Sequence, residues 1–340
     1  MKLAVTGAGG FIGAHVVDAA LERNYEVRIL VRSDARNEEW RQKGVEVFQG
    51  DLRDSESLKP FLRGADFLCN VAGVNTPLKS RQKEIFESNV DGVTRILTLA
   101  GELGVKRIVH TGSTAALGCA GKGRMNNEDT AFNLWDISGD YERSKHLGEE
   151  AALQLYKEKG IPVIIAQPSA SLGPGDVKPT YTGQLIIDFV TRKLPAYFDS
   201  RQNYVDARDV ALGHLLALEK GRLGERYLLC NENLLFSEYF ALITELTGVS
   251  APKFKPPLGV ALLMSYALNV LAVVTRRDPI IRSSSIKRAM LDLYYDNAKA
   301  RKELGFAPRR IIHSLYDEIA WFVQEGYIKE PISLRKPNTP

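Results

Sequence analysis

Three side chains near the middle of the chain have the types and spacing needed to protonate a carbonyl oxygen as it is reduced. Tyr141 and Lys145 stand four residues apart in the helical pattern 140–159, so they share one helix face. A free tyrosine has a pKa of about 10, which we expect the Lys145 ammonium to lower so that the phenol acts as an acid near neutral pH. Ser113 lies in the polar turn 111–118, where its hydroxyl would polarise the carbonyl by a hydrogen bond. These residues predict a catalytic site.

Such a reduction needs a redox cofactor, and the start of the chain has a turn suited to holding one. The apolar run Leu3–Val5 is followed by glycines at positions 7, 10 and 13. Gly7 can take the backbone angles of a tight turn, Gly10 lets the main chain approach a pyrophosphate, and Gly13 lets the next helix lie close to the strand. The free N–H groups at the helix start would face the phosphates. The alternative is a strand-turn-helix corner that binds no ligand.

The end of the second predicted strand indicates which dinucleotide is bound. About twenty residues after the glycine turn, an NAD enzyme places an acidic side chain on the ribose 2′-hydroxyl. Here that position is Arg32, whose guanidinium suits a 2′-phosphate, and Ser33 and Arg36 would add to it. The sequence therefore favours NADP(H) over NAD(H). The alternative is that Arg32 is a solvated loop residue and that Asp34 binds the ribose.

Residues at the ends of the later strands complete the predicted cofactor site. Asp51 would accept a hydrogen bond from the adenine amino group, although it could instead cap the helix that follows. Small residues in the stretch 70–73 leave room for the cofactor. The predicted cofactor contacts are Gly7, Gly10, Phe11, Ile12, Gly13, Arg32, Asp51, Leu52, Ala72, Gly73, Thr111, Tyr141, Lys145, Pro168 and Ser169. No metal site is predicted, because Cys69, Cys119 and Cys230 lie far apart without ligand spacing.

The chain alternates apolar runs with helical patterns up to about residue 170. The predicted strands are 26–31, 45–48, 66–71, 107–111 and 162–166, and the predicted helices are 35–43, 55–62, 80–101 and 140–159. Strands separated by helices form a parallel sheet with right-handed crossovers, so the fold class is α/β with a doubly wound Rossmann sheet. We assign residues 1–170 and 203–230 to this domain. Residues 171–202 and 231–330 predict a smaller, mostly helical C-terminal substrate lobe, and 331–340 a tail.

The amino-acid composition indicates the cellular location of the protein and the kinds of partner it can bind. Of the 340 residues, 44% are hydrophobic and 25% charged, as in ordinary globular proteins. The net charge of +4 is small and the basic residues are interleaved with acids, so we expect no nucleic-acid partner. The sparse cysteines and the absence of a signal peptide before the first strand predict a cytoplasmic protein.

We also expect a homodimer formed by the predicted helices 80–101 and 140–159. Apolar residues on these helices offer some surface, although they could equally face the sheet. They are Ile85, Val93, Leu147, Ala151 and Leu155.

The stretch Leu258–Thr275 has no charged residue and is flanked by Lys255, Arg276 and Arg277. Its eighteen residues fall short of the roughly twenty that span a bilayer. Its small residues recur every three or four positions and form one weakly polar stripe. We therefore predict a soluble protein in which this helix walls an apolar substrate pocket. The alternative is peripheral attachment to a membrane surface.

The motifs together resemble the extended short-chain dehydrogenases/reductases, the NAD-dependent epimerase/dehydratase superfamily. The resemblance rests on TGAGGFIG at 6–13, GDL at 50–52, NVDG at 89–92, the turn 111–118, YERSK at 141–145, QPSASLGPGD at 167–176 and the run 201–221. Within that group the chain looks like the branch that holds dihydroflavonol reductases, 3β-hydroxysteroid dehydrogenases and hopanoid-associated sugar epimerases. The likeness extends to about Tyr327.

The resemblance implies roles for several residues. Ser113, Tyr141 and Lys145 would be the catalytic triad, and Asn89 a fourth member in a water-mediated proton relay. Gln167 and the residues after it would line the nicotinamide face.

Two departures from the family pattern put the substrate in doubt. Gly112 stands where serine is common, and Asp206 where histidine is common. Three functions remain open: an NADPH-dependent reductase of a small carbonyl or alcohol substrate, a nucleotide-sugar epimerase or dehydratase with tightly bound NAD, and a non-catalytic regulator.

Overall fold

Seven parallel strands form the central layer of the protein. The computed structural model describes residues 1–32, 37–76, 81–257, 259–260, 262–263, 265 and 283–337. The strands of this sheet are β1 Lys2–Thr6, β2 Glu26–Val31, β3 Glu46–Gln49, β4 Phe67–Asn70, β5 Arg107–Thr111, β6 Val163–Pro168 and β9 Arg226–Leu229. Their order is β3-β2-β1-β4-β5-β6-β9, and each neighbouring pair is parallel. The order reverses at β1 and β4, which confirms the predicted doubly wound sheet.

Helices cover both faces of this sheet. The helices of the described residues are α1 Phe11–Glu22, α2 Asn37–Gln42, α3 Ser55–Leu62, α4 Gln82–Phe86, α5 Gly92–Glu102, α6 Asp140–Lys159, α7 Tyr181–Val190, α8 Ala207–Lys220, α9 Phe236–Thr247, α10 Ser283–Ala289, α11 Ala298–Leu304 and α12 Ile311–Gln324. Side chains alternate along a strand, so Val5 and Val109 belong to one core with α1, α8 and α11. Ala4 and Ile108 belong to a second core with α3, α5 and α6. The sheet is therefore buried on both faces.

A smaller sheet carries a third core. Its strands are β7 Ala170–Leu172, β8 Arg201–Asp206 and β10 Glu232–Leu235, in the order β10-β8-β7. Side chains of α7, α9 and α12, including Phe189, Phe240 and Phe322, pack together there.

The two parts of the chain share segments. The strand β8 pairs antiparallel with β10 in the small sheet, whereas α8 packs on α1 and β9 on β6. Only part of the segment 203–230 therefore returns to the large sheet. The helix α11 falls in the range assigned to the substrate lobe, yet Ala300 and Leu304 pack in the core of the large sheet against α8 and β9.

The predicted helix 80–101 is interrupted in its middle. Residues Glu87–Asp91 form a π-helical turn between α4 and α5. The helix α6 crosses this turn at Gly148, where an added Cβ would lie 2.1 Å from the carbonyl oxygen of Asn89. Only glycine allows this approach of two backbones, and α6 carries the predicted catalytic residues Tyr141 and Lys145.

Most of the apolar residues proposed for a dimer are buried within the chain. Ile85, Val93 and Leu155 pack inside the protein, and Leu147 is exposed. The first three therefore face the core, which leaves Leu147 and the half-buried Ala151 as surface. The dimer stays a prediction.

The stretch Leu258–Thr275 lies almost entirely outside the described residues, so its proposed role as a pocket wall stays a prediction. Of the residues that are described there, Val260 and Leu263 are exposed. In the described part of the chain, no helix combines the length and apolar character that crossing a membrane requires.

Replacing Gly148 by alanine should destabilise the protein. The added methyl group would force α6 away from a backbone carbonyl, which we expect to lower the free energy of unfolding by about 1–3 kcal/mol. Denaturant unfolding measures the change.

Gly101→Ala is the matched control, because its Cβ would meet only the terminal methyl of Ile161, at 2.2 Å, and a side chain can turn away. Both substitutions gain the same helix propensity, about 0.5–1 kcal/mol. Equal destabilisation of the two variants would contradict the proposed backbone contact.

Candidate active site

The three predicted catalytic residues meet at the carboxyl end of β5. Ser113 precedes the short 3₁₀ turn Thr114–Ala116, and its Oγ accepts a hydrogen bond from the N–H of Ala115 at 3.1 Å. The Ser113 hydroxyl lies close enough to the Tyr141 hydroxyl to act on its pKa. Both residues are partly exposed, whereas Lys145 is buried. Ser113 and Tyr141 are therefore open to solvent in part, while Lys145 is enclosed by the protein.

The electrostatics of the site differ from the expectation drawn from the sequence. Burial raises the pKa of Tyr141, the nearby Ser113 hydroxyl lowers it, and Glu142 and Glu149 raise it. The net shift is upward, opposite to the lowering predicted from the Lys145 ammonium. Burial lowers the pKa of Lys145 itself to about 8, and Glu149 opposes that shift. The Lys145 ammonium donates instead to the carbonyl of Thr111 at 2.5 Å.

Two buried histidines lie beneath this lysine. His214 Nδ1 contacts the carbonyl of Val210 at 2.8 Å, so Nδ1 carries the proton and Nε2 accepts from the Thr111 hydroxyl, also at 2.8 Å. The pKa of His214 is lowered to about 4 and that of His110 well below its usual value, in both cases chiefly by burial and in part by Lys145. Both rings are therefore neutral near pH 7. Nothing in the sequence spacing marks them as neighbours.

A polar chain joins this region to the glycine turn. The Thr6 hydroxyl donates to Asn70 Oδ1 at 2.7 Å and accepts from the N–H of Ala72 at 3.1 Å. Asn70 Nδ2 in turn donates to His110 Nδ1 at 3.1 Å. The ends of β1, β4 and β5 are thus held together by side chains that are buried and hydrogen-bonded.

The glycine turn fits the pyrophosphate of a dinucleotide. Gly7 has φ +74°, and a Cβ there would lie 2.7 Å from the N–H nitrogen of Ala72. A Cβ on Gly13 would lie 2.0 Å from the Gly7 carbonyl oxygen, so α1 starts directly against the turn. Gly10 is the N-cap of α1, and no side chain caps the first N–H groups. Those donors face space lined by glycine, as a bound phosphate requires.

The other predicted cofactor residues lie around this turn and the catalytic end. A Cβ on Gly73 would lie 4.0 Å from Lys145 Nζ, so the chain after β4 passes the catalytic lysine. Pro168 ends β6, and Ser169 follows it with an Oγ that has no partner among the described residues. Leu52 is buried in the core next to α3 and α5. Phe11 and Ile12 are half-buried at the start of α1.

Charged side chains gather at the far end, where an adenosine would lie. The side chain of Arg32 is 63% exposed and lies 3.5 Å from Glu84. Glu84 accepts two hydrogen bonds from Arg81, at 2.6 and 2.8 Å. Asp51 accepts two from the Arg53 side chain, at 2.9 and 2.8 Å, which lower the pKa of its carboxyl. Ser33, Asp34 and Arg36 lie outside the described residues.

Asn89 acts as a clamp between chain segments. Its Oδ1 accepts from the N–H of Val74 at 2.8 Å, and its Nδ2 donates to the Val74 carbonyl and to Ser144 Oγ, each at 2.9 Å. The buried amide is therefore fully used by the protein. This geometry favours a structural role over direct contact with a substrate.

The sequence pattern does not single out Glu149. This carboxylate is 1% exposed and accepts from the N–H of Ser113 at 3.0 Å and from Gln167 Nε2 at 2.7 Å. It stands four residues after Lys145 and eight after Tyr141, and this spacing on one helix face was the available signal. Gln167, expected by resemblance at the nicotinamide face, is buried and turned to Glu149.

Four aromatic side chains that could contribute to an apolar pocket divide into a buried and an exposed group. Tyr197 and Tyr204 are buried in the core of the small lobe, and Tyr204 stacks on Tyr239. Trp135 and Tyr181 are exposed. The Trp135 ring lies 5.3 Å from that of His146, the residue after the catalytic lysine.

Comparison with known proteins agrees with this geometry. A family model described as the NAD dependent epimerase/dehydratase family matches residues 3–230. A protein of Synechocystis sp. with the provisional name dihydroflavonol 4-reductase is 35% identical over 329 residues, 96% of this chain and 95% of its own. Cinnamoyl-CoA reductase 1 of Arabidopsis thaliana is 30% identical over 279 residues, 74% of this chain and 79% of its own. The crystal structure of gox2253 is 34% identical, with a TM-score of 0.88 and coverage of 96% of this chain and 99% of that one.

Replacing Asn89 by alanine should destabilise the protein more than the same replacement at an exposed asparagine. Asn89→Ala leaves the N–H and carbonyl of Val74 buried without partners, which we expect to lower the free energy of unfolding by about 1–3 kcal/mol. Thermal and denaturant unfolding measure this loss.

Asn133 is the matched control, because its amide holds the N–H and carbonyl of Cys119 in the same way, each at 3.0 Å, at an exposed position. Water replaces that amide in Asn133→Ala, so the variant should lose less stability. An Asn89→Ala variant as stable as wild type would rule out the clamp.

Proposed function

The chain belongs to the NAD dependent epimerase/dehydratase family of extended short-chain dehydrogenases/reductases, and on that premise we propose that it is an NADPH-dependent reductase of a ketone or aldehyde on a fairly apolar small molecule. The single observation that carries this proposal is the juxtaposition of Ser113 and Tyr141, both partly exposed, with Lys145 buried one helical turn along α6. These are the groups that a carbonyl oxygen needs when it becomes an alkoxide.

Each side chain has a distinct task in this mechanism. A bound nicotinamide cofactor supplies the hydride. The Ser113 hydroxyl donates a hydrogen bond to the carbonyl oxygen, and the Tyr141 hydroxyl gives its proton to that oxygen as negative charge develops there. The Lys145 ammonium stabilises the phenolate that remains until solvent returns the proton. The glycine turn at Gly7 and Gly10 would hold the pyrophosphate.

Charge at the adenosine end supports NADPH as the cofactor. Arg32, Arg53 and Arg81 all lie near Glu84, which pairs with two of them and acts electrostatically on the third. Three guanidiniums around one carboxylate make a site where a 2′-phosphate can replace that carboxylate. Arg32 is the most exposed of the three, and its 3.5 Å contact with Glu84 is longer than the 2.6 Å contact of Arg81.

The names of the relatives and one surface feature support an aromatic or otherwise apolar substrate. The relatives are named for acting on dihydroflavonol and cinnamoyl-CoA. Trp135 is exposed in the loop between the Ser113 turn and α6, with Phe132 and His146 packed against it. An apolar ring can stack on such a surface.

A second candidate is an epimerase or dehydratase of a nucleotide sugar that keeps tightly bound NAD. The family name includes this class, and the ion pair of Arg32 with Glu84 favours it, because a guanidinium already neutralised is less available to a 2′-phosphate. The cofactor retained on purification, and its exchange with added NADPH, separates the two candidates.

Arg32→Glu should abolish the cofactor preference. The wild type is expected to bind NADPH at least tenfold more tightly than NADH, and the variant should lose roughly that factor through repulsion of the 2′-phosphate. Fluorescence titration with both cofactors measures the two affinities.

Arg63→Glu is the control, because it makes the same charge change at an exposed residue. Arg63 precedes β4, at the amino ends of the strands, whereas Arg32 lies at their carboxyl ends. Wild-type affinity for NADH equal to or above that for NADPH would overturn the assignment of Arg32.

Tyr141→Phe should abolish turnover without weakening cofactor binding. The phenyl ring keeps the packing but has no proton to give, so kcat should fall roughly 100-fold or more, with 4-nitrobenzaldehyde and NADPH as the assay pair. Lys145→Met should lower both kcat and cofactor affinity, because it also removes the charge. Most of the activity remaining in Tyr141→Phe would exclude the mechanism.

A further inference from the structure

Glu149 joins more parts of the active site than its neighbours on α6 do. Its Oε1 accepts from the N–H of Ser113 at 3.0 Å, and its Oε2 accepts from Gln167 at 2.7 Å and lies 3.4 Å from Arg226 Nε. These partners belong to the turn after β5, to β6 and to β9. One carboxylate on α6 thus bonds to all three neighbouring strands or their ends.

The absence of a side chain at position 112 is explained by this carboxylate. A Cβ on Gly112 would lie 2.1 Å from Glu149 Oε1 and 2.7 Å from its Cδ. Gly112 does not have a positive φ, so backbone conformation does not demand glycine there. A side chain at position 112 would have to displace the carboxylate, and it would also meet Ile165 Cγ2, at 2.9 Å. The departure from the family pattern at Gly112 thus leaves room for the Glu149 carboxylate beside the turn.

The charged groups around Glu149 include the catalytic ones. On α6 itself, Tyr141, Lys145 and the exposed Glu150 lie near it, and Arg226 approaches from β9. Lys145 is faced by the neutral His110 and His214 from β5 and α8. Glu149 is the sole anion that acts on Lys145 among the described residues, and burial raises the pKa of Glu149 while Arg226, Ser113, Lys145 and Gln167 oppose that rise.

We propose that Glu149 is a positioning residue that fixes the Ser113 turn through its backbone N–H and keeps the Lys145 ammonium charged. This inference rests on the proposed function of Ser113, Tyr141 and Lys145. The carboxylate does not touch a substrate, because it is buried behind Ser113. It acts by setting where the Ser113 hydroxyl stands and by offsetting the burial of the lysine.

The test compares three variants of the full-length protein. Glu149→Gln keeps the shape and removes the charge. Glu150→Gln is the matched control, because Glu150 is adjacent, exposed and bonded to the same Arg226. Gly112→Ala keeps the Glu149 carboxylate in the protein but pushes it away from the turn.

Two measurements report on the site without any substrate. In protein labelled with ¹³Cε-lysine, Lys145 is identified by Lys145→Arg and by its titration below the other lysines. Its pKa should fall by roughly one unit in Glu149→Gln and stay unchanged in Glu150→Gln. In protein labelled with ¹⁵N-serine, the Ser113 amide proton, assigned with Ser113→Ala, should move upfield in Glu149→Gln and in Gly112→Ala.

Activity supplies the third measurement. With NADPH and 4-nitrobenzaldehyde, kcat should fall roughly tenfold in Glu149→Gln, and activity on the alkaline side should be lost at lower pH, because Lys145 gives up its proton earlier. The NADPH affinity should be unchanged. A fourth variant, Glu149→Asp, keeps the charge but shortens the side chain. It should restore the alkaline limb of the pH profile but not the full kcat, because the charge acts on Lys145 and the reach of the side chain fixes the Ser113 turn.

The outcomes separate this inference from the function it rests on. Equal turnover by the wild type and Tyr141→Phe, or no turnover by either, would overturn the proposed function, while the two NMR measurements would still decide how Glu149 acts. Loss of activity in Tyr141→Phe with unchanged lysine titration and serine amide in Glu149→Gln would overturn this inference alone. Equal effects of Glu149→Gln and Glu150→Gln would also overturn it.

Discussion

A buried ammonium requires partners, and the arrangement of the active site follows from that requirement. Lys145 donates to the carbonyl of Thr111, whose hydroxyl is held by His214. A buried cation without such acceptors would lose its proton or destabilise the fold. The end of β5 must therefore stand at one distance from α6, and the Ser113 turn, which continues β5, takes its position from the same contact.

The approach of α6 to the sheet imposes a second constraint. Two glycines make room for it: Gly148 on the helix, opposite the Asn89 carbonyl, and Gly112 on the turn, opposite Glu149. At each glycine, the space that a side chain would fill is taken by a polar group of a neighbouring segment. A helix packed this tightly has little freedom to tilt. Tyr141 is therefore held at a fixed position next to the Ser113 hydroxyl, as proton transfer requires.

Local signals predicted much of this architecture. The helix patterns 55–62 and 140–159 match α3 and α6 residue for residue, and the strand patterns 26–31 and 107–111 match β2 and β5. The glycine spacing and the four-residue step from Tyr141 to Lys145 are also local. What the sequence did not provide depends on distant partners: β8 pairs with β10 because of a segment thirty residues later, and Glu149 matters through strands that only the fold brings together. The electrostatics of Tyr141 also required the structure, since burial cannot be read from spacing.

The chain alternates between the large sheet and the small lobe, and this order constrains how the protein folds during synthesis. When the first 170 residues have left the ribosome, β6 is an edge strand with open hydrogen-bonding groups, because β9 follows only at Arg226–Leu229. One face of the sheet also lacks α11 until residue 304 is synthesised. Exposed edges and uncovered apolar faces are sites of aggregation in nascent chains. The large sheet is therefore completed late in synthesis, which makes the nearly full-length chain, and not its first half, the unit that reaches a protected state.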